Sequence, residues 1–548
     1  MAARVLLAAL MLNSVPAALM QSYLRRVWTS AHCGLGWVSP DLLFRILLAA
    51  PVLLWAVAVL SFTGEGGPGK PSAETRAVTP FGSDTAGAPV VVAARLVCSL
   101  ANEDAAAASI KEFDGLSSVA ADDESYWLFG DSWLKRKRAG YLFANAVAAK
   151  TTDNNATDCV SLDYKASNGI AEPLFPMKKG ETTAWPDGGV AVEPGYVDFY
   201  FASVERTSPS EWHVEAVGLG RFDTDTMNGQ RLVENLWDET SGFADIVTGA
   251  RSPLLQGDDV FVFLRTNTNR HLLARVPADS MGSSSAYSYW DGEGWSPSPA
   301  DAESLWPEPA TELPTHNGLS VRYDDFLGKW LAVYNRGLST ISVRVSDRLT
   351  GPWSGEVQWL DCKTLFKSAV WPTCYYAEQH WQLARDGGRT IYVTVSSAPP
   401  YDVYLFEFRL GAAVHQWRDG AGRTSYSPVS PGDAYVDKGV AFYASDTPVS
   451  GFQPVYSWET SEGERVYSSQ EPGPSFTAGG MAFYAPTSSK VPDSIVPYDP
   501  VYRWDAGQAH IYSTASAGLE DQGYVRGEVT FYAVCGDADM DGAGDCLE

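Results

Sequence analysis

EFDGLSSVAADDESYWLFGDSW, residues 112–133, holds the pattern that decides the fold: a short strand with a polar head, an acidic turn, then an apolar strand. The same order returns in residues 185–201 (WPDGGVAVEPGYVDFYF), 248–264 (TGARSPLLQGDDVFVFL), 316–334 (HNGLSVRYDDFLGKWLAVY) and 376–395 (YAEQHWQLARDGGRTIYVTV). The apolar strands begin at Trp127, Val197, Val260, Trp330 and Ile391, so successive units are 70, 63, 70 and 61 residues apart. A third strand follows each: FANAVAAKTTD, VEAVGLGRFD, HLLARVPADS, TISVRVSDR and VYLFEFRL. Repetition at a near-fixed period, several strands per unit and Gly/Asp-rich turns predict radial repetition around a channel. The expected fold is all-β, a five-bladed β-propeller over residues 89–411. A β-branched run before the first unit, PVVVAARLVCSL (89–100), predicts a strand that joins the blade holding residues 376–410 and closes the ring.

The first strand of each blade lines such a channel, so its polar residues converge near the axis. Those residues are Asp114, Asp187, His316 with Asn317, and Glu378 with His380, and Asp131 follows the second strand of the first unit. Hydrolysis of a glycosidic bond needs two facing carboxyl groups, one protonated and one ionised. Acids crowded into a partly desolvated cleft supply that difference, because like charges push one pKa upward. Asp before Gly is also a common turn pair, as at Asp114-Gly115 and Asp187-Gly188. The case for Asp114, Asp131, Asp187 and Glu378 as catalytic residues therefore rests on their shared phase. Trp133, Trp185, Tyr376, Asn317 and His380 stand near the same strand heads, where flat aromatic faces stack on sugars and amide or imidazole groups bond hydroxyls. No cofactor is expected for such catalysis.

The matching segments WLFGDSW, ANAVAAKTTD, WPDGGVAV, LARVPADSM…AYSYWDGEGW, LSVRYDDFLGKWLAVY, TGPWS and PPYDVYLFEFRL occur in order between about Cys98 and Leu410. Together they resemble the bacterial endo-D-arabinanase family, five-bladed propeller glycoside hydrolases long catalogued as a domain of unknown function. The resemblance implies an arabinan-like polysaccharide as substrate. By position it puts Asp114 in the family's Asp-Gly first strand and Asp131 in its FGD-[ST] turn. Two departures accompany it. Asn317-Gly318 stands where relatives often have Gly-Glu, and His380-Trp381-Gln382-Leu383 where they often have His-Pro-Glu-Leu. Either Glu378 or Asp187 takes over the missing carboxylate, or the protein binds glycan without cleaving it.

The 548-residue chain has 40 basic and 66 acidic residues, a formal charge of -26, and no basic stripe to neutralise phosphates, which argues against a nucleic-acid partner. Residues 46–62 are 17 uncharged, mostly apolar residues after Arg25, Arg26 and Arg45. They predict a transmembrane helix or signal anchor within residues 1–63 that delivers the bulk of the chain outward, to the cell surface or the extracellular space. A Gly/Pro/Ser-rich linker spans 64–88. Six of the seven cysteines lie beyond the anchor, and the expected pairs are neighbours in sequence: Cys98–Cys159, Cys362–Cys374 and Cys535–Cys546.

A different repeat fills residues 412–534. Trp417, Trp458 and Trp504 recur at 41 and 46 residues, with Tyr426, Tyr467 and Tyr512 in step, which predicts a pseudo-threefold, β-trefoil-like module. The phrase GVAFYA within it resembles a repeat appended to secreted bacterial hydrolases, and implies a glycan-binding or targeting role. Residues 535–548 end in DADMDGAGDCLE. This follows the calcium-loop pattern, with ligands expected from Asp537, Asp539, Asp541, Ala543 through its carbonyl, Asp545 and Glu548. The expected protein is a monomer whose partners are a polysaccharide or other glycan and, through the anchor, a membrane.

Overall fold

The structure is a computed structural model and describes residues 89–535, except positions 139, 152, 157, 179–180, 209–210, 307–317, 339, 363–372, 399–400, 508 and 515–517. The expected anchor at 46–62, His316, Asn317 and the calcium ligands Asp537, Asp539, Asp541, Ala543, Asp545 and Glu548 lie outside the described residues. Among the described residues no helix is long and apolar enough to cross a membrane.

Between Val91 and Leu410 the described residues are almost all β, in five antiparallel sheets of four or five strands and one small two-stranded sheet, with a single short α-helix at Glu103–Ala107. Each unit's polar-headed strand pairs with the apolar strand that follows it. Leu116–Ala121 pairs in the register Ser118↔Trp127, and Thr183–Val190 in the register Gly188↔Tyr200. Val247–Gln256, Leu319–Asp324 and Tyr375–Gln379 do the same through Ala250↔Leu264, Val321↔Ala332 and Glu378↔Thr394. These five strands also touch one another in cyclic order, the first meeting the second and the fifth meeting the first. We call these five mutually neighbouring strands the inner strands.

Because strand side chains alternate between faces, each apolar strand contributes to two cores. In the first unit Leu128 packs with Phe199 and Phe201 of the second, while Trp127 and Phe129 pack with Tyr392 and Leu405 of the fifth. Three further clusters fill the remaining gaps between sheets, around Tyr200 and Val262, Phe263 and Val321, and Leu331 and Phe408. At about 1.5–3 kcal/mol for each large apolar side chain taken from water, these wedges hold the sheets together. Strand Val91–Ser99 pairs antiparallel with Asp402–Leu410, from Val91↔Leu410 to Ser99↔Tyr404, and so completes the fifth sheet with the first described strand.

Disulfides join Cys98 to Cys159 and Cys362 to Cys374, the neighbour pairs expected from the sequence. Cys535 is also disulfide-bonded, and Cys546 lies outside the described residues.

Residues 412–533 form three three-stranded sheets, one per repeat. The threefold relation is closed by hydrogen bonds: Tyr426 N–H donates to the Tyr467 hydroxyl, Tyr467 N–H to Tyr512 and Tyr512 N–H to Tyr426, each at 2.8 Å. Phe442, Phe483 and Phe531 meet edge to face beside them, with centroids 5.2–5.4 Å apart. Backbone bridges Tyr443↔Val534 and Ser445↔Tyr484 join the sheets of different repeats. The module packs on the ring through Val491, Val496 and Tyr498, and Ile495 N–H donates to Ala94 O at 2.9 Å along the closing strand.

Candidate active site

The first unit's polar-headed segment breaks in two at Asp114-Gly115, between strands Ile110–Phe113 and Leu116–Ala121. Gly115 has φ +50°, a conformation glycine adopts without the Cβ penalty. Gly130 N–H is bonded to the carbonyls of both Asp114 and Gly115 at 2.7 Å. A Cβ on Gly130 would lie 3.0 Å from Asp114 Oδ1, so the Phe-Gly-Asp turn needs glycine to approach this closely. The result places Asp131 N–H 3.1 Å from Asp114 Oδ1, as its donor. Tyr375 donates to Asp114 Oδ2 at 3.1 Å, and the Tyr401 hydroxyl bonds the same carboxylate. Loss of solvent, then the neighbouring charge of Asp131, push the Asp114 carboxyl up to about 7, although both tyrosines and the Asp131 N–H oppose the shift.

Asp131 is held differently. It is buried, and its Oδ1 accepts from Trp185 Nε1 at 2.9 Å and from the Thr183 hydroxyl. Its Oδ2 forms an ion pair with Arg206. Two neighbouring carboxyl groups thus have unlike surroundings, one poised to keep a proton to neutral pH and one facing a fixed cation.

Both acids line one cavity of about 580 Å³. Trp133, Trp185 and Trp212 form its aromatic wall, and Trp185 meets Trp212 edge to face at 5.3 Å. Trp212 and Arg206 come from the paired strands Tyr196–Ser208 and Glu211–Asp223, whose far end reaches over the first unit. Tyr376 and Arg251 also line the cavity. The Arg251 guanidinium lies 4.4 Å above the Tyr376 ring and donates to its hydroxyl.

The other two predicted acids are placed behind this cavity. Asp187 is fully buried, 2.8 Å from Arg251 Nη1, and its Oδ2 accepts from Ala250 N–H at 2.9 Å. Burial raises it to about 6 against the pull of Arg251. Glu378 lies two residues further along the inner strand than Tyr376, is buried, and its Oε2 has no hydrogen-bond partner among the described residues. Burial lifts it to about 8, against Arg322 and Arg251. His380 is buried beyond the strand's end. Its Nδ1 is 2.6 Å from Ser118 Oγ, its Nε2 2.8 Å from Thr394 Oγ1, and its ring stacks on Trp127. Burial takes it down to about 3, so the imidazole is neutral.

Of the residues singled out in the sequence, the structure therefore brings Asp114, Asp131, Trp133, Trp185 and Tyr376 into one cavity, while Asp187, Glu378 and His380 stand below its floor. Residues 380–383, where the sequence departs from the endo-D-arabinanase pattern, are absent from the lining. Tyr375, beside Tyr376 among the aromatics of the strand heads, lines the cavity as well, whereas Arg206, Trp212, Arg251 and Tyr401 are lining residues that no sequence pattern marked.

Several solved structures are similar in outline. An α-L-arabinofuranosidase from Podospora anserina shares 11% identity at TM-score 0.37, covering 59% of this chain and 98% of that one. Another from Clostridium thermocellum shares 12% at TM-score 0.35, covering 59% and 95%. An arabinanase from Bacillus subtilis shares 11% at TM-score 0.33, covering 54% and 94%. Likeness this slight carries no argument about activity. No curated protein matches the chain. The family model described as domain of unknown function DUF4185 matches residues 114–407, more than half of the sequence and every lining residue of the cavity, and the chain belongs to that family.

Proposed function

We propose that this protein is a glycoside hydrolase acting on an arabinan-like polysaccharide, its five sheets being the blades of a five-bladed propeller with the cavity at one mouth of the axis. The observation that carries the reading is the Asp114–Asp131 pair in a cavity walled by three tryptophans. Asp114, with its raised pKa, suits the general acid that protonates the leaving oxygen. Asp131, fixed against Arg206, suits the ionised partner, as base for a water or as nucleophile. The tryptophans supply faces for the apolar sides of sugar rings.

Release of reducing ends from soluble arabinan tests this. The wild type is expected to release oligosaccharides, and Asp114→Asn and Asp131→Asn to lower kcat by roughly 10²–10⁴-fold, the usual contribution of a positioned acid or base. A wild type inactive on furanose and pyranose polymers alike rules the proposal out.

A second reading is a glycan-binding surface protein that does not cleave. It is favoured by the occupancy of Asp131, whose two oxygens are already engaged by Thr183, Trp185 and Arg206. Glycan binding that survives both substitutions, with no product formed, selects it. Under either reading the protein works outside the cell as a monomer tethered at its N-terminal end, with calcium held by the acidic tail. The disulfides Cys98–Cys159 and Cys362–Cys374 support an oxidising compartment. Cell fractionation and calcium titration of the full chain test these parts, and a cytoplasmic location would exclude export.

A further inference from the structure

The inner strand Tyr375–Gln379 has a cavity at each end. Tyr375 and Tyr376 line the one holding Asp114; Gln379 and His380 line a second, of about 220 Å³. His380 follows Tyr376 by four positions, at most roughly 13 Å at about 3.3 Å per residue. Buried Glu378 lies between them on the strand, and the two cavities share no lining residue.

Its walls combine two kinds of chemistry. Tyr323 is 50% exposed and Trp381 is 47% exposed, large values for aromatic residues in a chain that buries so many others. Tyr323 is steadied edge to face on Trp330 at 5.5 Å, and Trp381 opens the short helical turn Trp381–Leu383. Between them the lining is polar: Arg322, Asp324, Asp325 and Gln379. Arg322 Nη1 donates to Ser252 Oγ at 2.7 Å and Val321 O at 2.8 Å, and no described residue takes its other nitrogens. Asp324 is buried at the cavity edge, its carboxylate held by the backbone N–H groups of Leu327, at 2.9 Å, and Phe326.

A protein-docking patch would present a continuous apolar surface. Here two flat aromatic faces flank a crevice of donors and acceptors of both signs, which matches a sugar ring, apolar on its C–H faces and polar on its rim. We propose that this second cavity is a non-catalytic binding site for a neutral sugar unit of a polysaccharide, with Tyr323 and Trp381 as its stacking faces and Arg322 and Asp324 as its polar contacts. Such a site holds a long chain near the enzyme without taking part in bond cleavage, and it stands whether or not the first cavity hydrolyses.

The test uses the full chain carrying Asp114→Asn, with arabinan, galactan, xylan and mixed-linkage β-glucan as soluble probes in affinity electrophoresis. Adding Tyr323→Ala and Trp381→Ala is expected to weaken binding of at least one polysaccharide about tenfold, the worth of a stacking contact or two. Tyr323→Phe and Trp381→Phe, which keep the flat faces, are expected to retain it. In the otherwise wild-type chain the same alanine pair is expected to leave turnover of a short oligosaccharide and the Tm unchanged. Undiminished polysaccharide binding in the alanine variant overturns the assignment and leaves the two aromatics as a protein-docking patch. Failure to bind any of the four probes overturns it as well, as does an equal loss of Tm, which would make the residues structural.

Discussion

Asp114 accepts the backbone N–H of Asp131 at 3.1 Å, so the two acids of the cavity belong to a single hydrogen-bonded turn. Burial of the Asp114 carboxyl, which outweighs this bond, ties its protonation to stability. Its carboxyl is raised from 3.8 to about 7, so between about pH 4 and 7 the folded protein keeps a proton that the unfolded chain has lost. Stability therefore falls as pH rises through that window. Asparagine never ionises and escapes the loss. The Tm of Asp114→Asn is expected to match the wild type near pH 4 and exceed it at pH 8, by calorimetry. A Tm difference that does not change with pH would place the raised pKa elsewhere.

The hydroxyls of Tyr375 and Tyr401 stabilise the ionised form of Asp114 and so lower its pKa. Removing either in Tyr375→Phe or Tyr401→Phe raises it. If Asp114 is the acid, the limb on which kcat/KM falls with rising pH moves to higher pH in both variants. A limb that stays in place, or moves to lower pH, assigns the acid to another group.

The fold was legible because its signals are local. The period of the apolar strands, the polar strand heads and the β-branched run at 89–100 each act over a few residues, and the observed registers follow them. The site was legible only in part. Asp114 and Asp187 both precede glycine and read alike, but tertiary packing separates them. A Cβ on Gly188 would stand 2.6 Å from Pro253 Cδ, and there Asp187 faces Arg251 instead of the cavity. Arg206 and Trp212 sit on an extended hairpin whose alternation looks like any solvent-facing pair of strands. Only its reach over the first unit, which depends on how two sheets pack, brings them to Asp131.

That hairpin makes a prediction about binding. Trp212 is exposed at the rim of the cavity and meets Trp185 edge to face at 5.3 Å. Trp212→Ala removes a stacking face but leaves the carboxyl pair intact. KM for the polysaccharide is expected to rise about tenfold with kcat little changed, the pattern of lost uniform binding. A fall in kcat with constant KM would show instead that the hairpin positions Arg206.

Asp187 and Arg251 form a buried ion pair beneath the cavity floor. Asp187→Ala leaves the guanidinium without its countercharge, which in buried pairs is destabilising by about 3–5 kcal/mol. Because Arg251 also stacks on Tyr376, the floor should loosen along with the loss of stability. Urea unfolding of Asp187→Ala is expected to show a lowered midpoint, and a variant as stable as wild type would mean that Arg251 finds another anion.

In the C-terminal module the cyclic bonds among Tyr426, Tyr467 and Tyr512 make each hydroxyl an acceptor for the preceding repeat's backbone. Tyr467→Phe keeps the ring, whose edge meets Tyr426 and Tyr512 at 5.6 and 5.4 Å, but strands the buried Tyr426 N–H. An unsatisfied buried donor costs about 1–3 kcal/mol, and the same substitution at Tyr426 or Tyr512 should cost about as much, since each stands in an equivalent place. Thermal unfolding of the three variants checks this. Equal losses confirm a threefold centre in which no repeat is privileged, whereas one dominant loss would mean that a single repeat, through its contact with the ring at Val491 and Tyr498, carries the module's stability.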